Sequence, residues 1–231
     1  MNIVYAMTRN VYSWFLPSIR SLVEHNPTAK VFILAEDDEL PVELPIHATI
    51  INVAGQTYFP EDGVNYKNDF TYINLLKVRY PSILPVDKVI HLDIDTIICE
   101  SLENLWNTDL TGKWFAACPE IQTWYRPFGD QYYNMGVAVI NLEQMREDGI
   151  EPEMENYLNT VKQPFADQDA WNKYGIQTSK IVPLDPRWND SYAAGRTEKP
   201  SIVHFCGIKD WYTRNNMYRV EYLNKYREEN R

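Results

Sequence analysis

Short, largely apolar runs recur along this chain, each five to seven residues long: NIVYAM at 2–7, VFILA at 31–35, HATIINV at 47–53, KVIHL at 88–92, WFAAC at 114–118 and GVAVIN at 136–141. Runs of this kind, bounded by turn residues, read as buried strands. Segments with helical spacing lie between them. Residues 13–25 (SWFLPSIRSLVEH) form one, with Pro17 either opening or kinking it. Residues 70–80 form another, with Tyr72, Leu75, Leu76 and Val78 as apolar positions and Pro81 as its stop. This alternation predicts an α/β fold with a mixed, mostly parallel central sheet flanked by helices. No repeat, low-complexity tract or Gly/Ser linker interrupts it, so one domain is expected over 1–231. Residues 119–133 and 183–200 read as long loops, and Tyr212–Arg231 as a solvated helix. Ligands of such sheets bind at the carboxyl ends of the strands.

Composition narrows what the chain can meet. With 45% hydrophobic residues in 231, disorder, collagen and coiled coil are excluded as whole-chain readings. Lys and Arg total 22 against 32 Asp and Glu, a net charge of −10, which disfavours nucleic acid as a partner. No stretch approaches the apolar length of a membrane span, and the N-terminus lacks the pattern of a signal peptide. Cys99, Cys118 and Cys206 are scattered and form no CxxC pair. The expectation is a cytoplasmic protein, with peripheral contact at the inner membrane face left open. Aromatic residues reach 13%, enough to build a core and also to line a site for sugars or nucleobases.

Chemistry concentrates at VIHLDIDT, residues 89–96, where an apolar strand runs into two aspartates. In extended chain, alternate side chains share a face, so Asp93 and Asp95 point together and Ile94 points away. Paired carboxylates repel unless a cation or hydrogen-bond donors sit between them, and a hard divalent ion is the simplest neutraliser. The plainer alternative is a turn in which one Asp caps a helix starting near Ser101. Further along, Tyr133-Asn134-Met135-Gly136 precedes a buried strand and places the Asn134 amide at its mouth. Asp167-Gln168-Asp169 precedes a helical Ala170–Tyr174, where the helix dipole favours acids and already accounts for one of them. His204 ends a short strand; Gly207 then permits close backbone approach, and Lys209 completes a phosphate corner.

In this order, DxD, YNxGV, DQD and HxxGxK resemble glycosyltransferase family eight, retaining enzymes with a GT-A fold that use UDP-sugars. The likeness covers nearly the whole chain and is strongest from 88–95 through SLENLWNTDL at 101–110. It implies a nucleotide-binding half over about 1–115 and a donor-sugar and acceptor half over about 116–231. By the same resemblance, Asp93, Asp95 and His204 are ligands of Mn²⁺ or Mg²⁺, with Asp93 also reaching the ribose. Gly207 and Lys209 clamp the diphosphate. Ala6, Thr8, Asn10 and Tyr12 hold the uridine, with Tyr12 stacking on uracil, and Ile94 lies in the donor-binding run. Lys77 contacts the donor, while Glu120, Asn134, Asp167 and Gln168 surround its sugar as catalytic candidates. UDP-glucose or UDP-galactose is the implied donor, and a glycan or glycolipid the acceptor, with 119–133 as part of the acceptor wall and Trp124 and Trp211 as further aromatic contacts. Two positions depart from the pattern: Thr8 replaces an Asp, and Lys209-Asp210-Trp211 replaces Lys-Pro-Trp.

Other chemistries fit less well. A nucleotidyltransferase making NDP-sugars needs a Gly-rich basic loop after the first strand, whereas AMTRNVY at 6–12 has no glycine. A non-catalytic sugar-nucleotide-binding module is disfavoured because every motif residue is present.

Overall fold

A computed structural model describes residues 1–67, 71–121, 127–128, 131–208 and 210–227. In chain order the elements are β1 (Asn2–Ala6), α1 (Leu16–His25), β2 (Lys30–Ala35), β3 (Ala48–Asn52), α2 (Tyr72–Leu75), α3 (Tyr80–Ile83), β4 (Lys88–Leu92), β5 (Thr96–Ile98), α4 (Glu103–Trp106) and β6 (Phe115–Pro119). They continue as β7 (Tyr133–Asn141), α5 (Leu142–Asp148), α6 (Glu151–Thr160), α7 (Asp167–Gln177), β8 (Ile181–Pro183), β9 (Ile202–His204) and α8 (Val220–Asn224). Seven strands form one sheet in the order β3-β2-β1-β4-β7-β6-β8, while β5 and β9 pair separately. Four of its pairings are parallel; β4 with β7 and β7 with β6 are antiparallel.

Both faces of the sheet are covered, which is why its strands read as continuous apolar runs rather than alternating ones. Ile3, Tyr5, Ile33, Ile90 and Val139 face one layer, where α1 contributes Leu16, Ile19 and Leu22. Val4, Leu34, Val89, Ala138 and Ile140 face the other, against Leu76, Met154, Leu158 and Trp171. The order reverses between β1 and β4, so chain leaves the ends of these two neighbours in opposite directions and opens a crevice there.

Several local expectations change. Pro17 opens α1 at its first turn rather than kinking it, since its missing N–H costs no helical bond there. Pro81 does not stop the second helix. A 3₁₀ turn over Leu76–Arg79 follows α2, and Pro81 then enters the first turn of α3. β7 begins at Tyr133, so Tyr133 and Asn134 lie inside the strand instead of before it. Asp167 likewise starts α7, placing Asp167-Gln168-Asp169 in its first turn. Among the described residues after Trp211, only Val220–Asn224 is helical, not the whole stretch, and Leu223 is fully buried with Val203, Phe205 and Trp211. Among the described residues, no helix is long and apolar enough to cross a membrane.

Candidate active site

β4 ends at Leu92, so Asp93 and Asp95 flank a turn rather than sharing one extended face. The turn is tied from both sides. Asp93 N–H donates to Gly136 O (2.7 Å), Thr96 Oγ1 to Asp93 O (2.8 Å) and Phe205 N–H to Asp95 O (2.9 Å). No aspartate caps α4, where the Ser101 hydroxyl instead accepts from Glu103 N–H (3.2 Å). Thr96 then pairs with His204 across β5 and β9, carrying the imidazole to the two carboxylates. His204 Nε2 lies 3.2 Å from Asp95 Oδ1 and 3.8 Å from Asp93 Oδ2. One donor atom from each of the three residues falls within 4.8 Å of the others.

These residues fit a divalent cation. Asn189 donates its amide to Asn134 Oδ1 (2.9 Å), so its own oxygen faces His204 Nδ1 (2.8 Å) and places the proton there. Nε2 is then a lone pair, buried, with no hydrogen bond aligned on it. A buried lone pair beside two carboxylates is an unfavourable trio unless a positive charge joins it. Burial alone would lower the His204 pKa, but Asp95 and Asp93 outweigh it and raise it, which reports the same demand for positive charge.

Behind Asp93 lies a buried polar group. Lys77 Nζ sits 2.9 Å from Asp93 Oδ1 and 3.7 Å from Asp167 Oδ2. Burial disfavours its charge, yet Asp167 and Asp93 outweigh burial, so Lys77 stays an ammonium. His91 Nε2 also lies 2.9 Å from Asp93 Oδ1, and Tyr80 Oη 3.1 Å from His91 Nδ1. Burial and Lys77 push the His91 pKa down to about 4, so the ring is neutral at pH 7. With Tyr80 donating to Nδ1, Nε2–H donates to Asp93. Two donors thus occupy Oδ1 and leave Oδ2 toward His204. They outweigh burial and hold the Asp93 pKa below the usual carboxylate range. Asp167 behaves oppositely: burial, reinforced by the Asp93 charge and opposed by Lys77, pushes it up to about 7.

The other wall comes from a break in the β6–β7 ladder. Ala117 pairs with Ala138 but Cys118 with Asn134, so Met135–Val137 bulge out of register. At the bulge, a Cβ on Gly136 would overlap His204 Cε1 and come 2.8 Å from Asp93 Oδ2. Only glycine fits. Asn134 donates to Glu120 Oε2 (3.1 Å) and accepts from Gly136 N–H (3.0 Å), while Gln168 Oε1 accepts from Met135 N–H (3.0 Å). Asp169 is fully buried and accepts from Tyr132 Oη (2.6 Å) and Phe165 N–H (2.9 Å), a structural role.

Two hollows meet at this centre. An inner cavity of about 260 Å³ is lined by Lys77, Glu120, Asn134, Asp167 and Gln168 among others. An outer cleft of about 590 Å³ is lined by Ala6, Thr8, Asn10, Ile94 and Asp95. Asn74, Asp93, Phe165, His204, Cys206 and Gly207 border both. Tyr12 lies behind this wall. Its ring is 2% exposed, and its hydroxyl donates to Asp37 (3.2 Å) and accepts from Glu36 N–H (2.9 Å), so the stacking role expected of it does not fit. Trp14 and Trp211 do line the cleft. Lys209 and Trp124 lie outside the described residues.

The sequence pattern of glycosyl transferase family 8 matches residues 2–214. The chain belongs to that family. A putative glycosyltransferase of Haemophilus influenzae is 27% identical over 82% of this chain and 63% of its own length. General stress protein A of Bacillus subtilis is 28% identical over 60% of this chain and 58% of its own length. The chain therefore spans about three fifths of these two relatives. The galactosyltransferase LgtC, in complex with donor and acceptor sugar analogues, superposes with a TM-score of 0.73 over 98% of this chain and 95% of its own at 21% identity. Mouse xyloside xylosyltransferase 1 gives a TM-score of 0.68 over 90% of this chain and 98% of its own at 15% identity. These likenesses establish the GT-A fold.

Family 8 motifs led to the three candidate ligands and, among their supports, to Lys77, Asn134 and Gly136, but not to the rest. His91 lies near the end of β4, two residues before Asp93, and that spacing was readable in the sequence. Asn189, Tyr80, Asn74 and Phe165 carry no local signal. Asn189 sits in a stretch that reads as loop, and its value comes only from the strand and histidine it joins.

Proposed function

We propose that this protein is a retaining glycosyltransferase that moves glucose or galactose from a UDP-sugar to a hydroxyl of a glycan or glycolipid. Asp93, Asp95 and His204 would hold Mn²⁺, or Mg²⁺, at the junction of the two hollows. The observation that carries this reading is the buried His204 Nε2, without an aligned partner and directed at two carboxylates there. Family membership supports a sugar donor, and the two hollows suit a nucleotide outside and one sugar ring inside.

The chemistry follows from where charge develops. Breaking the anomeric C–O bond sends its electron pair to the diphosphate and leaves an oxocarbenium-like sugar. A bound divalent ion would supply Lewis-acid stabilisation of the departing diphosphate. Gly207 and Lys209 would steady the same oxygens from this chain's side, as the family pattern implies. Double displacement requires a carboxylate nucleophile, and Glu120 and Asp167 are the candidates. Asp167, pushed up to about 7, keeps much of its proton near neutrality and is poorly suited to attack. Same-face attack fits better: the leaving phosphate takes the acceptor's proton. Gln168, its oxygen fixed by Met135 N–H, turns its amide nitrogen to the sugar.

The test is UDP release from UDP-glucose, UDP-galactose and UDP-N-acetylglucosamine with and without Mn²⁺. Ion-dependent release is expected with a hexose donor and an α-configured product by anomeric NMR. Asp95→Ala should remove it while circular dichroism stays unchanged. A β product would overturn the stereochemistry, and unchanged turnover in the variant would overturn the ion site.

A further inference from the structure

The rim of the inner cavity carries a surface that the donor reading leaves unused. Glu120 and Ala193 line that cavity, and Ile121 N–H donates to Ala193 O (2.6 Å), holding the two segments side by side. Next to them in the chain are Ile121, 53% exposed, and Tyr192, 48% exposed. Among the described residues only two other large apolar side chains, Val64 and Val161, are comparably exposed. Arg196 lays its guanidinium 3.8 Å from the Tyr192 ring centre and 4.4 Å from that of Tyr218. Arg219 on the same loop system is paired with Asp190, and Arg187 with Glu100. Arg196 is exposed and makes no ion pair among the described residues, in a chain of net charge −10.

The loop bearing these groups is set in advance. The Ser191 hydroxyl accepts from Ala193 N–H (3.2 Å) and Ala194 N–H (2.9 Å), and Ser191 N–H donates to Gly195 O (2.9 Å). Fully buried Asp190 anchors it by accepting from Thr197 N–H (2.6 Å), Tyr218 Oη (3.2 Å) and Arg219 Nε (3.1 Å). The same chain segment begins at Asn189, which orients His204. With the Arg196 guanidinium stacked on one face of the Tyr192 ring, a flat, partly apolar ring has the other face and the ring edge to pack on, and an anionic group on it has the guanidinium to meet. Tyr192 is the chain neighbour of Ala193 and Ile121 that of Glu120, so both adjoin residues of the cavity wall.

Resting on the glycosyltransferase reading, we propose that Ile121, Tyr192 and Arg196 form an acceptor subsite for a saccharide bearing a carboxylate or phosphate. The sugar ring packs on Tyr192 and Ile121, and its acidic group meets Arg196.

The experiment measures binding to the whole chain with Mn²⁺ and UDP present, using trigalacturonate, maltotriose phosphorylated at a primary hydroxyl, and neutral maltotriose. At low salt at least one anionic probe should bind about tenfold more tightly than maltotriose, and the preference should shrink at high salt. Whichever anionic probe binds more tightly identifies the acidic group. Arg196→Gln should erase the preference, Arg196→Lys should restore part of it, and Tyr192→Ala should weaken every probe. UDP release without acceptor should be unchanged in all three variants, with melting temperatures showing that each is folded. Equal binding of neutral and anionic probes by the unaltered protein would overturn the subsite, as would a preference that survives Arg196→Gln. Because the readout is binding, absence of UDP release from every donor would sink the transferase reading and leave this comparison to decide the platform.

Discussion

The two flanks of the candidate cation site are built differently. On the Asp93 side, supports come from nearby sequence: His91 precedes it by two residues on β4, and Lys77 and Tyr80 lie on the helical stretch just upstream. Lys77 and His91 act by donating hydrogen bonds to one carboxylate oxygen, and Tyr80 acts through His91 by donating to its Nδ1. On the His204 side, support comes from distant chain: the Gly136 bulge in β7, and Asn189 in the loop before β9. Gly136 works by being small, Asn189 by fixing a tautomer. A donor can be imitated by another donor, whereas a close backbone approach leaves a larger residue nowhere to go, so the His204 flank should be the more brittle.

The sharpest way to break that contrast is Gly136→Ala. Its methyl would displace His204 or Asp93, and misplacement by about 1 Å is worth roughly a hundredfold in rate. Ion-dependent UDP release should fall at least that far, and Mn²⁺ paramagnetic resonance should show the bound ion lost. Wild-type ion affinity in this variant would mean the close approach is not what positions the ligands.

A smaller loss is expected on the other flank. His91→Phe removes the donor to Asp93 Oδ1 and should weaken Mn²⁺ binding about tenfold, at the low end for supports of this kind. His91→Gln, whose amide can still donate, should recover much of it. If glutamine fares no better than phenylalanine, His91 only fills space and the contrast dissolves.

The smallest effect concerns Asp167, joined to the Asp93 flank through Lys77. Its folded pKa, about 7, lies above its ordinary value of 3.8, so between these the unfolded chain has lost a proton that the native state keeps. Its contribution to stability is therefore present at acid pH and lost as pH rises through that window. Asp93 has the opposite sign, its contribution being lost only as pH falls below the ordinary carboxylate range. Melting temperatures of the ion-free protein from pH 4 to 8, with Asp167→Asn as reference, should show the unaltered protein losing a few degrees relative to the variant as pH rises. A flat difference would rule this out.

Much of the fold was legible. Both-face burial leaves an unbroken apolar run, and such runs mark β1, β2, β4, β6 and β7 to within a few residues. The three-residue strands β5, β8 and β9 bury too little chain for a reliable pattern, and of these only β9 was expected, from the residues ending at His204. Within the site, Asp93 and Asp95 were visible as a pair, but the reason given for their meeting was not the operative one: a turn, pinned by Gly136 and Phe205, brings them together. Tyr12 shows the same limit. An aromatic just past the carboxyl end of β1 invites a stacking role, yet its neighbours turn the ring inward and use its hydroxyl to hold Glu36 and Asp37.

What the sequence by itself determined was a doubly covered α/β sheet, the family, and the residue types that can carry a cation and a diphosphate. Only the tertiary structure decided that β7 bulges under His204, that Asn189 sets its tautomer, that two donors claim one oxygen of Asp93, and that Arg196 stacks on Tyr192. Periodicity encodes which way a side chain leaves its own backbone. Which other backbone comes close enough to meet it depends on strand order and register, and these are settled by the packing of the whole sheet.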